Sequence, residues 1–166
     1  MKMELQPWVF PVSAHPGESL GHFLGRFRRA NSLSRQGLAE LLGMSVMITR
    51  AWETPSRQQL PTPTQLARLS ELVSIPSEQL TQMLPPKPSQ IYLRMRLCGA
   101  CYTEVPSHQS AWQQAGVEQC NRHQLPLLTA CSACGTAFRL PALWESGCCE
   151  CCWLPFSQMR ANYPVK

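Results

Sequence analysis

The sequence predicts a mainly α fold in which a helical N-terminal domain is followed by two small cysteine-rich modules. In the first half of the chain, apolar residues recur at the spacing of one helical face. All nine cysteines lie beyond residue 97, so the two halves are expected to be stabilised by different means. A proline-rich run at 84–88 indicates a linker between them. We therefore predict a helical domain at 1–86 and cysteine-rich modules at 87–129 and 130–166.

The first predicted helix covers residues 18–31. Its inner face is formed by the apolar side chains Leu20, Phe23, Leu24 and Phe27. Glu18 is placed in the first turn and Arg28 and Arg29 in the last turn, which suits the helix dipole. Asn31 can end the helix.

Two short helices come next and are joined by a turn at 43–45. Ser34 and Ser45 suit the N-cap positions of these helices, and Gly43 suits the end of the first one. Their inner faces are expected to carry Leu38, Leu41, Leu42, Ile48 and Trp52. The small Ala39 allows the helices to cross closely, so this segment is predicted to be a helix-turn-helix.

If the helix-turn-helix binds DNA, its second helix enters the major groove. The side chains predicted to be exposed on that helix are Met47, Thr49, Arg50 and Glu53. Arg50 is the only cation among them, whereas base reading favours several arginine, asparagine or glutamine side chains. The same helices can instead form a packing module that binds protein or RNA.

Two more amphipathic helices are predicted at 62–73 and 77–84, and Pro76 suits the start of the second. Their apolar side chains are Leu66, Leu69, Leu72, Val73, Leu80, Met83 and Leu84. With these two, the predicted N-terminal domain contains five helices.

The first cysteine-rich module carries two ligand pairs, each with two residues between its members. The pairs are Cys98 with Cys101 and Cys120 with His123. Such a pair can wrap around one ion, and tetrahedral zinc takes four sulfur or nitrogen ligands. In a reducing compartment this spacing is more typical of metal ligands than of disulfides. The sequence predicts a zinc site of the zinc-finger or ribbon type here.

The second module predicts another zinc site, which begins with Cys131 and Cys134. The remaining pair is either Cys148 with Cys151 or Cys149 with Cys152. We favour the later pair, because Phe156 then follows its last cysteine by four residues, as Phe138 follows Cys134. Two Zn²⁺ ions per chain are expected. Each set supplies four ligands and leaves no open position, so both sites are predicted to be structural and no residue is predicted to be catalytic.

The formal net charge of +5 is weak support for nucleic-acid binding. Thiolates that bind zinc carry charge, and two loaded sites would leave a net charge of about +2. The local basic cluster is more informative. The residues predicted to contact DNA or RNA backbone are Arg26, Arg28, Arg29, Arg35 and Arg50.

Aromatic residues outside the helices suggest further contacts. Trp8, Phe10 and His15 in the leading segment are predicted to anchor in a groove of a partner protein, or alternatively to pack on their own domain. Trp112, Trp144 and Trp153 are expected to pack against the zinc sites and the helical domain. An exposed tryptophan would instead mark a partner interface or a base-stacking surface.

No run of about 18 apolar residues is present to span a bilayer, and the N-terminus lacks the pattern of a secretory signal. We therefore expect a cytoplasmic protein without a membrane segment. The histidines His15, His22 and His108 are expected at surfaces or interfaces rather than among the metal ligands.

An ordered set of motifs resembles the TniQ (TnsD-like) transposition proteins. The motifs are PGESL at 16–20, FLGRF at 23–27, RLCGAC at 96–101, Trp112, CNRH at 120–123 and CSACG at 131–135. The resemblance covers most of the chain. The short length is similar to that of the minimal members found in CRISPR-associated Tn7-like transposons with a single-protein effector.

This resemblance implies a non-enzymatic bacterial adaptor. Its implied partners are a CRISPR effector with its guide RNA and the AAA+ ATPase regulator TnsC, which recruits the transposase. The alternative is a stand-alone DNA-binding regulator that uses the helix-turn-helix and has the zinc sites as scaffold.

Overall fold

The structure is a computed structural model that describes residues 8–54, 59–85, 90–139 and 146–159. Its α-helices are α1 (Leu20–Ala30), α2 (Arg35–Leu42), α3 (Val46–Trp52), α4 (Pro63–Val73), α5 (Ser77–Gln82) and α6 (Gly99–Glu104). Two 3-10 helices span Ser110–Gln113 and Phe156–Gln158. Elsewhere in the described ranges, strand pairing is limited to isolated β-bridges, which confirms the mainly α prediction. None of these helices is long and apolar enough to cross a membrane.

Hydroxyl side chains start most helices of the N-terminal half. The capping residues are Ser19, Ser34, Ser45 and Thr62, and each accepts a hydrogen bond from a backbone N–H in the first turn. Because Ser19 caps α1, the helix begins at Leu20 and Glu18 lies before it, not in its first turn as predicted. Helix α5 ends at Gln82, earlier than predicted. The predicted domain boundary between 86 and 87 lies outside the described residues.

Helices α2 and α3 form the predicted helix-turn-helix. Gly43 ends α2 with a φ of 62°, a left-handed conformation that glycine adopts without steric penalty. Ala39 is buried where the two helices meet. Leu38 and Leu42 face the core, but Leu41 is 53% exposed, so its predicted place on the inner face was wrong. Successive helical residues are about 100° apart, so Leu41 turns outward when Leu42 faces inward.

The helical half encloses one apolar core. Its buried members are Leu20, Phe23, Leu24, Phe27, Leu38, Leu42, Trp52, Leu66, Leu69, Leu72, Val73, Ile75, Leu80 and Met83. Trp8 packs onto this core from the leading segment, with its ring edge-on to Phe27 at a centroid distance of 5.0 Å. Its indole N–H donates to the carbonyl of Leu72 at 2.5 Å.

The two cysteine-rich modules share a second core. Its buried members are Met95, Leu97, Cys98, Tyr102, Trp112, Cys120, Leu128, Cys131, Phe138, Cys149, Phe156 and Met159. Helix α6 lies so close to the second 3-10 helix that a Cβ added to Gly99 would lie 2.2 Å from the carbonyl oxygen of Phe156. A glycine is therefore required where the modules meet.

A short backbone pairing joins the helical half to the first module. The N–H of Ser19 donates to the carbonyl of His108 at 2.7 Å, and the N–H of Ser110 donates to the carbonyl of Gly17 at 3.0 Å. The fully buried ring of His108 contacts Ser19 Oγ through Nδ1 (2.9 Å) and Gln113 Oε1 through Nε2 (3.2 Å). His108 thus lies at an interface, as expected from the sequence.

Candidate metal centres

Eight of the cysteine and histidine side chains form two clusters in the described part of the chain. The first contains Cys98, Cys101, Cys120 and His123, and the second contains Cys131, Cys134, Cys149 and Cys152. Within each cluster, one ligand atom from every residue lies within 4.8 Å of the others. The structure therefore brings together both sets that the sequence predicts, including Cys149 and Cys152 of the favoured pairing.

Distances in the first cluster fit a tetrahedral ion. Cys101 Sγ lies 3.5 Å from Cys120 Sγ and 3.3 Å from His123 Nδ1. The Sγ atoms of Cys98 and Cys120 each lie 3.7 Å from the same nitrogen. Around zinc, bond lengths of about 2.0 to 2.3 Å place tetrahedral ligands about 3.5 to 3.8 Å apart. The donor set and its spacing thus fit zinc.

A carboxylate that the sequence did not single out orients the histidine ligand. His123 Nε2 lies 2.9 Å from Glu104 Oε1, so the ring turns Nδ1 toward the sulfurs. Glu104 also forms an ion pair with Arg122, at 2.7 Å. The hydrogen bond to Glu104 raises the pKa of His123. A carboxylate on the second ring nitrogen is common at zinc sites, where it fixes the tautomer. Nineteen positions separate Glu104 from His123, so their pairing was not readable from local sequence.

The thiols of the first cluster differ in acidity. Burial raises the pKa of both Cys98 and Cys101. Burial also acts to raise the pKa of Cys120, but hydrogen bonds to His123 and the backbone of Arg122 outweigh it and lower that pKa to about 7. The thiol of Cys120 can therefore ionise near neutral pH. A bound divalent ion would favour ionisation of the other two thiols.

The second cluster has the same spacing. Cys131 Sγ lies 3.5 Å from Cys152 Sγ, and Cys134 Sγ lies 3.6 Å from Cys149 Sγ. These separations again match the edges of a tetrahedron around zinc, of about 3.8 Å for sulfur ligands. The contact with the hydroxyl of Thr136 lowers the pKa of Cys134 to about 6. Four cysteines can thus hold a second ion with no open coordination position.

Three of the four ligand pairs lie in backbone turns of the same kind, and we call this turn the knuckle. The knuckles begin at Cys120, Cys131 and Cys149. In each, the N–H of the first cysteine donates to the carbonyl five residues later, and the carbonyl of that cysteine accepts from the N–H four residues later. An isolated β-bridge closes each one, as between Ala130 and Ala137 or between Cys148 and Pro155. The remaining pair, Cys98 and Cys101, lies at the start of α6.

The pseudo-symmetry of the second module explains the choice between its two cysteine pairings. Phe138 and Phe156 follow their knuckles at equivalent positions, and both are buried, with ring centroids 5.6 Å apart. With the second knuckle beginning at Cys149, both rings occupy the core. Cys148 then falls outside the cluster, where its thiol contacts Ser146 Oγ at 3.3 Å.

The tryptophans of this half differ in burial. Trp112 packs in the core, edge-on to His108 at 5.4 Å between ring centroids. Trp153 is 70% exposed, so the expectation that it packs against the zinc site was wrong. It follows Cys152 directly in the knuckle. Trp144 lies outside the described residues.

The basic cluster predicted to contact nucleic acid is largely engaged in internal ion pairs. Arg28 and Arg35 both bind the carboxylate of Glu53, which is 1% exposed. The Arg35 Nε to Glu53 Oε2 distance is 2.6 Å. Arg26 binds Glu18 through Nε (2.8 Å) and through a terminal nitrogen (2.6 Å).

Two further cations of the predicted contact set lie at the surface. Arg29 is exposed near the end of α1, and Arg50 is exposed on α3. Partial burial, together with the nearby Arg28 and Arg26, lowers the pKa of Arg29. Of the α3 side chains predicted to be exposed, Met47 is exposed, but Thr49 and Glu53 are buried, which corrects the prediction for both.

Glu18 is the centre of a second buried polar cluster. Its carboxylate binds His22 and Arg26 and accepts from the backbone N–H of His15 at 3.0 Å. Burial alone would raise the pKa of Glu18, but the hydrogen bonds with His22 and Arg26 lower it to about 2. The FLGRF motif thus contributes its arginine to an internal pair.

The leading segment is held against its own domain. Trp8 packs on the helical core, whereas the ring of Phe10 is 57% exposed although its backbone pairs with the Asn31 amide. His15 is half-buried and, with Arg122 and Trp112, lines a cleft of about 310 Å³ beside the first metal cluster. Of the three predicted anchors, Phe10 presents the most exposed ring.

Comparison with known protein families extends these observations. Residues 9–127, more than half of the chain, match the TniQ family. No curated protein matches the chain. TniQ proteins act in Tn7-like transposition, as adaptors that are generally non-catalytic. The match includes the helix-turn-helix and the first metal cluster, and on this basis the chain belongs to the TniQ family.

Proposed function

We propose that the chain is a non-enzymatic targeting adaptor of a Tn7-like transposon. It links an RNA-guided CRISPR effector complex to the AAA+ ATPase regulator TnsC. Each of its two clusters binds one structural Zn²⁺. Family membership supports the transposition role, and the complete sets of four ligands support a structural rather than a catalytic ion.

The observation that carries the adaptor proposal is the internal use of charge in the helical half. Proteins that bind DNA alone neutralise several phosphates with arginine and lysine. Here Arg28 and Arg35 share one buried carboxylate, and Arg26 is held by another. Such an arrangement favours a protein that contacts nucleic acid backbone only alongside its protein partners.

Zinc would act in this adaptor as a crosslink. When bound, it supplies a tetrahedral junction that holds the knuckles in place, and its binding free energy becomes folding free energy. The chain's own residues then present a rigid surface: Glu104 fixes the His123 ring, and Phe138 and Phe156 fill the core between the two centres.

A stand-alone DNA-binding regulator is the second candidate. It is favoured by the exposure of Met47 and Arg50 on α3, the helix that enters the major groove in helix-turn-helix proteins. A single exposed arginine gives such a helix little capacity to discriminate bases.

Co-assembly of purified components tests the two candidates. We expect the zinc-loaded chain to co-elute with TnsC in the presence of ATP, and to recruit the effector with its guide RNA to that assembly. Absence of binding to both partners would refute the adaptor proposal. Tight, sequence-selective binding of the isolated chain to duplex DNA, lost in Arg50→Gln, would support the second candidate instead.

A further inference from the structure

Trp153 occupies a backbone conformation that disfavours large side chains. The residue that follows the second ligand of each knuckle is Gln124, Gly135 or Trp153, with φ values of 53°, 71° and 60°. This left-handed conformation suits glycine, while a Cβ crowds the following carbonyl. A tryptophan at such a position is uncommon and points to a role for its side chain.

That role is not packing within the described part of the chain. The Trp153 side chain is 70% exposed, and among the described residues its indole has no hydrogen bond or ring contact. Trp8, Trp52 and Trp112, by contrast, each pack on one of the two cores. The knuckle therefore holds a large aromatic ring toward solvent at the expense of backbone strain.

The charge around this ring favours a cationic partner. Four thiolates around a divalent ion carry a net charge of about −2, directly beneath the knuckle. Glu150 adds a carboxylate, which the exposed Arg139 offsets at 3.4 Å. A phosphate backbone would be repelled by this surface. A cation would be attracted both by this charge and by the face of the indole, which is the most favourable aromatic surface for cations.

We propose that Trp153, on the knuckle of the second metal centre, is the docking point for an arginine or lysine side chain of a protein partner. The inference rests on the proposed adaptor function, since it names the chemistry of one partner's contacting segment. The ring supplies the cation–π face, and the zinc thiolates supply the negative field.

Paired glycine variants test the docking point. Trp153→Gly and Gln124→Gly both relieve the left-handed strain at equivalent knuckle positions, so both should fold and bind two zinc ions. The full zinc-loaded chain is titrated with an octa-arginine peptide. Isothermal titration calorimetry measures the affinity of the wild type and of every variant, and NMR follows the indole N–H resonances of the wild type. We expect the Trp153 resonance to shift, and apparent affinity to fall about tenfold in Trp153→Gly but not in Gln124→Gly.

Further variants and probes separate the possible contacts. Trp153→Tyr should retain most of the affinity, whereas Trp153→Leu should lose it, because leucine has no aromatic face. Equal octa-arginine affinity in the wild type and Trp153→Gly would overturn the proposal. So would a shift of the Trp153 resonance on addition of an oligothymidine, since that would indicate base stacking.

Co-assembly separates this inference from the adaptor function on which it rests. If the wild-type chain assembles with TnsC and the effector, and Trp153→Gly assembles equally well, the docking point is wrong and the adaptor function stands. If the wild-type chain assembles with neither partner, yet octa-arginine still shifts the Trp153 resonance, the adaptor function is wrong and the cation site stands.

Discussion

Single buried carboxylates organise the helical half. Glu53 forms two contacts with the Arg28 guanidinium and one with Arg35. A buried carboxylate is costly unless its oxygens are paired, so this residue ties the end of α3 to α1 and α2. The role of Glu53 is therefore to hold the helix-turn-helix on the first helix, not to face a ligand.

Loss of the Glu53 charge should destabilise the helical half. Glu53→Gln leaves two arginines beside a neutral amide, and we expect a loss of about 3 kcal/mol in unfolding free energy. Chemical denaturation followed by circular dichroism measures it. Arg35→Gln is the matched control. It should lower the unfolding free energy by less, because Arg35 is 34% exposed and Glu53 remains paired with Arg28. A Glu53→Gln variant as stable as the wild type would show that the ion pairs do not organise this domain.

His108 should make stability depend on pH. Burial, with a smaller effect of the nearby His22, lowers the pKa of His108 from 6.5 to about 3. Between these values the unfolded chain binds a proton that the folded chain does not, so stability falls as the pH is lowered through this window. We expect a loss approaching about 1.4 kcal/mol per pH unit between pH 6 and 5.

The variant His108→Gln isolates the contribution of His108 to this pH dependence, because glutamine does not bind a proton in this pH range. Its unfolding free energy should change less steeply between pH 7 and 5 than that of the wild type, whatever its absolute stability. Zinc content is measured at each pH, because acid also protonates the metal ligands. Identical slopes in the two proteins would rule out His108 as the source of the pH dependence.

At the scale of elements, the repeated knuckle is the unit that builds the metal centres. The knuckle needs a tight turn after its second ligand, and residues with positive φ provide it in all three copies. Gly135 meets this need without strain, whereas Gln124 and Trp153 do not. The second module is thus two knuckles facing one centre, while the first combines one knuckle with the start of α6.

Adjacent cysteines should differ sharply in their effect on metal content. Cys149→Ser removes a ligand of the second centre, so we expect one zinc ion per chain instead of two and loss of ordered structure in that module. Cys148→Ser, one residue away, should retain two ions, because Cys148 lies outside the cluster. Metal analysis by mass spectrometry checks both. The reverse result would mean that the module uses Cys148 and Cys151.

At the scale of the whole molecule, two cores meet at short junctions. The backbone pairing of Ser19 with His108 joins the helical half to the first module, and the contact of Gly99 with Phe156 joins the two modules. Both metal centres contribute buried ligands to the shared core, Cys98 and Cys120 from the first and Cys131 and Cys149 from the second. A substitution that destabilises one module is therefore expected to destabilise the other.

A single methyl group at the junction of the modules should reveal this coupling. In Gly99→Ala, the new Cβ would meet the backbone carbonyl of Phe156 at 2.2 Å, which must move, and we expect a loss of about 1 to 3 kcal/mol in unfolding free energy. Gly37→Ala in α2 is the control, because the nearest neighbours of its Cβ would be side-chain atoms, the terminal carbon of Leu33 at 2.9 Å and Ser34 Oγ at 3.3 Å. Thermal unfolding of both zinc-loaded variants measures the difference, and equal stabilities would contradict the tight junction.

Much of the fold was predictable because its signals are local. An N-cap hydroxyl acts within three residues of itself, and two ligands of one knuckle are three residues apart, so Ser34, Ser45 and the pair Cys131 and Cys134 are recognisable from spacing alone. The repeat of phenylalanines after the two knuckles of the second module, Phe138 and Phe156, extended the same reasoning to Cys149 and Cys152.

The sequence by itself determined the five helices of the N-terminal half, the helix-turn-helix and the grouping of metal ligands, but it did not predict α6. Only the tertiary structure decided which charged side chains are used internally. Glu53 meets Arg28 across 25 positions, and Glu104 meets His123 across 19. It also decided that Trp153 faces solvent while Trp112 is buried. Local spacing fixes backbone hydrogen bonds, but ion pairs and burial depend on how distant segments pack, which no short sequence pattern records.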